Sequence, residues 1–242
     1  MKKEKTLITG AENGIGFEIA EKFAKEGHDL FLLIKKKDER QNLKLLEKKY
    51  RIKVKIFIGD LRSLKFIKTL KKINYINNLI NNAAMANTKY FTEVSDKDFH
   101  DLTNVNLRAI FKLSQIFSKK MIKNKIKGTI ISISSQLGHI GAYNRTLYCL
   151  SKFALEGLTK SMALDLSKHG IRVMTVSPTK TIVTQRELKD SSRLNKIKKK
   201  IPLNKFSTKS EIASIVFFLT TGSASSITGT SIISDGGWTA GK

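Results

Sequence analysis

Proline, cysteine and tryptophan are nearly missing from this chain: its 242 residues include two prolines, one cysteine and one tryptophan. The prolines, Pro178 and Pro202, interrupt no predicted helix. The lone Cys149 cannot make an internal disulfide, which points to a reducing, cytoplasmic setting. Long apolar runs are missing too. The longest, such as 215–219, are five residues, against the ~20 that a membrane span needs. The opening Met-Lys-Lys-Glu-Lys leads into a short strand, not into the apolar stretch of a signal peptide. His28, His100, His139 and His169 are scattered and, with Cys149, show no metal-ligand spacing, so no metal is expected. Acids are scarce: 20 stand against 45 Lys and Arg, a net charge of +25.

Such an excess creates a positive field that could draw nucleic acid, an acidic carrier protein or anionic metabolites. A nucleic-acid binder concentrates its charge on one patch or tail. Here lysines recur on nearly every predicted helix, among them Lys44, Lys65, Lys119, Lys160 and Lys198. They read as solvated faces, and no nucleic-acid partner is expected. The densest run is 186–205, with eight Lys/Arg against two acids.

No repeat, linker or composition break divides the chain, so a single domain over 1–242 is expected. Strand-length apolar runs alternate with helical patterns, the signature of an α/β fold with a doubly wound parallel sheet and helices on both faces. About seven strands are predicted at Thr6–Thr9, Leu30–Ile34, Val54–Ile58, Tyr75–Ile80, Gly128–Ser134, Ile171–Ser177 and Ser231–Ser234. Helices are predicted near 15–26, 39–50, 62–72, 96–123, 147–168 and 208–221. In such sheets ligands bind at the carboxyl ends of the strands, and that is where the motifs fall.

After the first strand comes Thr9-Gly10-Ala11-Glu12-Asn13-Gly14-Ile15-Gly16. Gly10 permits a tight turn, Gly14 lets backbone N–H groups approach a pyrophosphate, and Gly16 allows close helix–strand packing. Phosphates would sit at the N-terminus of the following helix. At the end of the second strand an acid would select NAD through the ribose 2′-OH, whereas a basic residue suits the 2′-phosphate of NADP. Ile34-Lys35-Lys36-Lys37 precedes Asp38, so NADP(H) is favoured through Lys35, with NAD(H) as the alternative. Asp60-Leu61 after the third strand could hold adenine, and Asn81-Asn82-Ala83-Ala84 after the fourth could line the cofactor groove.

The fifth strand ends in Ser134-Ser135, Tyr148 lies thirteen residues beyond Ser135, and Lys152 follows at i+4. That spacing puts the phenol and the ammonium on one helix face. A phenol with pKa near ~10 is a poor proton-transfer group at neutral pH. A neighbouring ammonium and an oxidised nicotinamide favour the phenolate. Lowering the pKa to near 7–8 asks for roughly 3–4 kcal/mol. Ser135 could then hold a substrate oxygen beside Tyr148.

Together these motifs resemble the short-chain dehydrogenase/reductase family over essentially the whole chain, from Thr9-Gly10 to Asp235-Gly236-Gly237. The resemblance implies a Rossmann-type fold and an NAD(P)(H)-dependent oxidoreductase moving a hydride between the nicotinamide and a carbonyl or secondary-alcohol carbon. It implies a tetrad of Asn106, Ser135, Tyr148 and Lys152, with the Asn106 backbone helping to hold a relay water. From the residues alone Asn106 reads as a helix kink or cap. The implied cofactor residues are Gly10, Asn13, Gly14, Ile15, Gly16, Lys35, Asp60, Leu61, Asn82, Ala83, Ala84, Tyr148, Lys152, Pro178 and Thr181. A homotetramer or homodimer packed through the helices at 96–123 and 147–168 is also implied, through Leu107, Ile110, Phe111, Phe117, Leu150, Phe153, Leu158 and Met162. Two departures stand out: Pro178-Thr179 replaces the usual Pro-Gly, and Val183 stands where a threonine is expected, between Thr181 and Thr184.

Within the family the motifs look like the branch that reduces ketoses and dicarbonyls or oxidises polyols. Ile201-Pro202-Leu203 also looks like the 3-oxoacyl-acyl-carrier-protein reductases. Ser135, Gln136, His139, Asn144, Arg145 and Tyr148 are the candidate substrate residues. The basic stretch falls in a substrate lid at about 184–206, which with Arg145 suits an anionic group or an acidic carrier protein. A catalytically retired basic binding protein is a remote alternative.

Overall fold

The computed structural model describes residues 3–36, 40–181 and 191–241. Seven strands form one sheet in which every paired neighbour is parallel. They are β1 (Lys5–Thr9), β2 (Asp29–Ile34), β3 (Val54–Ile58), β4 (Asn78–Asn81), β5 (Thr129–Ile133), β6 (Arg172–Pro178) and β7 (Ser231–Ser234). Their order is β3-β2-β1-β4-β5-β6-β7. The helices are α1 (Gly14–Lys25), α2 (Arg40–Tyr50), α3 (Leu64–Thr69), α4 (Asp96–Thr103), α5 (Ile110–Lys123), α6 (Thr146–Ser167), α7 (Ser191–Lys198) and α8 (Lys209–Thr220).

The strands lack polar alternation because both faces of the sheet are covered. Neighbours along one strand point to opposite sides, yet both are buried: Leu7 and Ile8, Leu79 and Ile80, Ile130 and Ile131, Val173 and Met174. Ile8, Ile80, Ile131 and Met174 enter a core with Ile19 and Phe23 of α1, Leu43 of α2 and Val216 of α8. Leu7, Leu79, Ile130 and Val173 enter the other, with Ile67 of α3 and Leu113 and Phe117 of α5. Strand pairing sets the register of these layers, with Ile8 opposite Leu32 on one side and Ile80 on the other.

Three elements differ from the sequence expectation. The fourth strand begins at Asn78, not Tyr75. Asn77 forms a clasp there, accepting the Lys5 N–H on Oδ1 at 2.9 Å and donating its own N–H to the Lys5 carbonyl at 2.8 Å. The Tyr75 ring turns instead under the Lys5 ammonium, 3.9 Å away. The 62–72 segment is the short α3, capped by Ser63, whose hydroxyl accepts from the Phe66 N–H at 3.2 Å, followed by a 3₁₀ turn at Leu70–Lys72. The single helix expected over 96–123 is broken by a π-helical turn, Asn104–Ala109. Such turns are uncommon and concentrate at functional sites; Asn106 sits inside this one.

The chain leaves β1 outward to β2 and β3, then returns to β4 on the other side of β1. The loops after β1 and β4 therefore diverge and open a crevice, the switch point of a doubly wound sheet. Close packing there depends on Gly16, because a Cβ at that position would run into the Gly10 carbonyl oxygen and the Asn82 amide nitrogen. Gly16→Ala is expected to cost about 1–3 kcal/mol, as overpacking does. Urea unfolding measures it; a midpoint unchanged from the parent would refute the contact argument.

Candidate active site

The crevice begins at the glycine turn. Gly10 and Gly14 both adopt positive φ, +65° and +58°, where a side chain is strained. The turn is pinned from β4: the Asn82 amide donates to the carbonyls of Thr9 (3.0 Å) and Gly10 (2.9 Å). The Thr9 hydroxyl accepts the N–H groups of Asn82 and Ala83, both at 3.0 Å. Asn82 thus shapes the groove instead of offering it a free amide. Asn13 occupies the N-cap of α1 but its side chain caps nothing, so the first-turn N–H groups have no side-chain partner there, as an anion site requires. A cleft of about 430 Å³ follows, lined by Gly10, Asn13, Gly14, Ile15, Gly16, Lys35, Asp60, Leu61, Asn82, Ala83 and Ala84, with Met85 and Val105 beyond them.

Asp60 is more engaged than its sequence position suggests. Arg62 clasps its carboxylate through Nη2 at 2.7 Å and donates its backbone N–H at 2.8 Å. Lys35 Nζ stands 3.6 Å from the same carboxylate. The Arg62 hydrogen bonds hold Asp60 down to about 2. A second cavity of about 560 Å³ shares Ile15, Asn82 and Ala84 with the first, so the two are one continuous groove. The second part brings together Ser135, Gln136, Arg145, Tyr148, Lys152, Pro178 and Thr181.

Ser135 caps a 3₁₀ turn at Gln136–Gly138, its hydroxyl accepting the Leu137 N–H at 3.2 Å. Tyr148 opens the first turn of α6, and Lys152 lies one turn on. Lys152 is 1 % exposed. Its Nζ donates to the Ile133 carbonyl at 2.7 Å and lies 5.4 Å from the centre of the Tyr148 ring. Asn106 grips the loop after β4, accepting the Met85 N–H at 2.8 Å and donating to the Met85 carbonyl at 2.9 Å. It also donates to the Ser151 hydroxyl at 3.1 Å, tying that loop to α6.

Residues 10–239 match the family model described as Enoyl-(Acyl carrier protein) reductase. The chain is 32% identical to mouse (Mus musculus) L-xylulose reductase over 238 residues, covering 98% of this chain and 96% of the relative. It is also 32% identical to the 3-oxoacyl-(acyl-carrier-protein) reductase of Buchnera aphidicola, covering 97% of each. Among solved structures, a 4-hydroxyisoleucine dehydrogenase complexed with NADH superposes with a TM-score of 0.92 at 30% identity, covering 99% of this chain and 100% of the other. The chain belongs to the short-chain dehydrogenase/reductase family. It is thus an NAD(P)-dependent oxidoreductase acting on alcohol and carbonyl groups.

Other sequence expectations for this short-chain dehydrogenase/reductase meet the geometry differently. Burial pushes the Tyr148 phenol up; a hydrogen bond with Ser135 and the Arg145 charge only partly offset it. Burial also pulls the Lys152 ammonium down to about 8, and its Nζ donates to the Ile133 carbonyl. Asn144 is exposed, at φ +58°, and lines a neighbouring surface cavity with Tyr90, Phe91 and Tyr143 instead of the groove. His139 faces β6 and β7, within 3.3 Å of Ser177 and 3.2 Å of Ser231. Arg145 reaches the groove while donating to the Asn87 carbonyl at 3.2 Å. Thr181 is buried and bonded to the Thr179 carbonyl at 3.3 Å. Val183, Thr184 and the 184–190 part of the expected lid lie outside the described residues. Cys149 is packed at 9 % exposure and its thiol is pushed up by burial.

Sequence reasoning missed Arg62, Ser151, Thr179, Ile197 and Trp238. The last three line the groove, and only the singularity of Trp238 hinted at a role. No described helix is long and apolar enough to cross a membrane.

Asn106→Ala would strip the Met85 N–H and C=O of both partners. It is expected to destabilise the protein by about 1–3 kcal/mol and to lower turnover more than it weakens cofactor binding. Urea unfolding and fluorescence titration of reduced dinucleotide check the two parts, and unchanged stability would refute the clasp.

Proposed function

We propose that this short-chain dehydrogenase/reductase reduces small hydroxylated ketones or vicinal dicarbonyls, or oxidises the matching polyols, with NADP(H) preferred over NAD(H). The observation that carries the substrate class is a pair of buried polar atoms on residues that line the groove. Gln136 Oε1 and Thr179 Oγ1 have no hydrogen-bond partner among the described residues, though Gln136 is 6 % and Thr179 5 % exposed. An orphaned buried acceptor costs about 1–3 kcal/mol. A substrate hydroxyl that donates to Gln136 recovers that energy, and a plain hydrocarbon chain does not.

When bound, the reduced nicotinamide supplies the hydride. The chain does the rest. Ser135 and Tyr148 hold the substrate oxygen, and Tyr148 O–H gives it a proton as the carbon is reduced. A raised phenol pKa suits a proton donor. In the reverse direction the phenol must lose its proton, which the positive charge of oxidised nicotinamide and the Lys152 ammonium favour. Asn106 keeps the groove wall and α6 in register. Lys35 beside Asp60 supplies the charge for a 2′-phosphate, and the first turn of α1 takes the pyrophosphate. Because the exposed Phe111, Leu150 and Phe153 lie on α5 and α6, we infer a dimer or tetramer formed through those helices; Ile110 and Phe117 belong to the core.

A second reading rests on α7. Ile197 lines the groove while Lys196, Lys199 and Lys200 around it are exposed, a surface suited to an acidic carrier protein bearing a 3-oxoacyl group.

The test titrates NADPH and NADH by fluorescence, then compares kcat/KM on ketoses, dicarbonyls and 3-oxoacyl thioesters. Tyr148→Phe is expected to lose about 100-fold or more in ketone reduction while still binding dinucleotide. Gln136→Leu is expected to lose about 5- to 100-fold on a ketose and little on 2,3-butanedione. Parent-like turnover by Tyr148→Phe would overturn the mechanism, and preference for thioesters would favour the carrier-protein reading.

A further inference from the structure

One helical turn past Lys152, α6 presents Glu156 on the same buried side. The Glu156 side chain is 12 % exposed. Its carboxylate is built into the sheet: the Thr175 hydroxyl donates to Oε2 at 2.7 Å and the Ser177 hydroxyl to Oε1 at 3.2 Å. His139 Nε2 stands 3.6 Å from Oε1, and Ser231 closes the ring at 2.8 Å from Ser177. Gly138, in the turn capped by Ser135, lies against this arrangement. A Cβ there would sit 3.2 Å from the Lys152 carbonyl and 3.3 Å from Glu156 Oε1.

None of Glu156, His139, Thr175, Ser177 and Ser231 lines the groove. A carboxylate fixed in this way is not needed to bind substrate or cofactor. A fully buried ammonium, by contrast, needs a counter-charge. The hydrogen-bond partner of Lys152, the Ile133 carbonyl, is neutral. Around Lys152, Tyr148 faces it from α6 and Ile133 from β5. Around Glu156 stand His139, the hydroxyls of Thr175 and Ser177 on β6, and Ser231 beyond them on β7. We propose that Glu156 is a positioning residue for the reaction, the fixed counter-charge that holds Lys152 as an ammonium beside Tyr148. The inference rests on the catalytic reading given above.

Burial acts to discharge Lys152, and Glu156 opposes that. Removing the carboxylate therefore lets the ammonium lose its proton at lower pH, which draws downward the basic limb of the kcat profile for alcohol oxidation, the direction in which the ammonium assists loss of the phenol proton. Glu156→Gln keeps the shape and the ability to bond Thr175 and Ser177. Its basic limb is expected about 1 pH unit below that of the parent, which is about tenfold in kcat on the falling part of that limb. KM for the alcohol should change less than about threefold. Glu156→Asp should restore the limb. Thr175→Val, which removes a hydrogen bond but not the charge, should leave it in place. A second measurement is independent of turnover: the lysine ¹³Cε resonance that disappears in Lys152→Met should titrate about 1 pH unit lower in Glu156→Gln. An unmoved Lys152 midpoint in Glu156→Gln would overturn the proposal, and so would an equal shift in Thr175→Val. If the parent reduces no ketone, the functional reading fails, and the lysine resonance still decides this one.

Discussion

A positive charge sealed against the end of β5 governs the arrangement of this site. Desolvating an ammonium costs several kcal/mol even after relaxation, and Lys152 is 1 % exposed. The fold meets that cost with groups from separate elements: a carbonyl of β5 and a carboxylate of α6 held by β6. Each needs α6 seated at one depth and one rotation on β5 and β6. The seating that satisfies Lys152 also sets Tyr148 against Ser135, so the groups proposed to react inherit their alignment from the burial of a charge.

A second network couples the far half of the groove to this one. Arg62 bridges Asp60 and, at 3.0 Å through Nη1, Asp101 of α4. Arg108 in the π-helical turn donates to the Arg62 carbonyl at 2.7 Å. The loop after β3 is thereby fastened to the turn that contains Asn106, which in turn grips Met85 and Ser151. These exposed and half-exposed ion pairs add little stability singly. Their value is geometric: they join the wall expected to meet adenine to the helix carrying the tyrosine.

Much of this was legible from residue order alone. Double-faced burial made the strands read as uninterrupted apolar runs, and the functional motifs fell at their carboxyl ends. The spacing of Tyr148 and Lys152 predicted one helix face correctly. What could not be read were features set by contacts distant in sequence. Asn77 ends its preceding turn through Lys5, 72 residues away. The π-helical turn has no local signature in Asn-Val-Asn-Leu-Arg-Ala, and the engagement of Asp60 depends on which way Arg62 folds. Periodicity cannot tell that Asn144 and His139 leave the groove while their neighbours Arg145 and Gln136 stay in it. Nor does i,i+4 spacing, which reports proximity, reveal the burial that pushes up the Tyr148 phenol or the aim of the lysine proton at Ile133; both are tertiary.

Cys149 adjoins the tyrosine yet points the other way, packed with its sulfur 3.9 Å from the Ile140 carbonyl. Thiolate is the reactive form, and burial here suppresses it. The native sulfur is therefore less available to alkylating labels than a surface thiol. A cysteine engineered on the surface would take up a fluorophore or spin label ahead of the wild-type thiol.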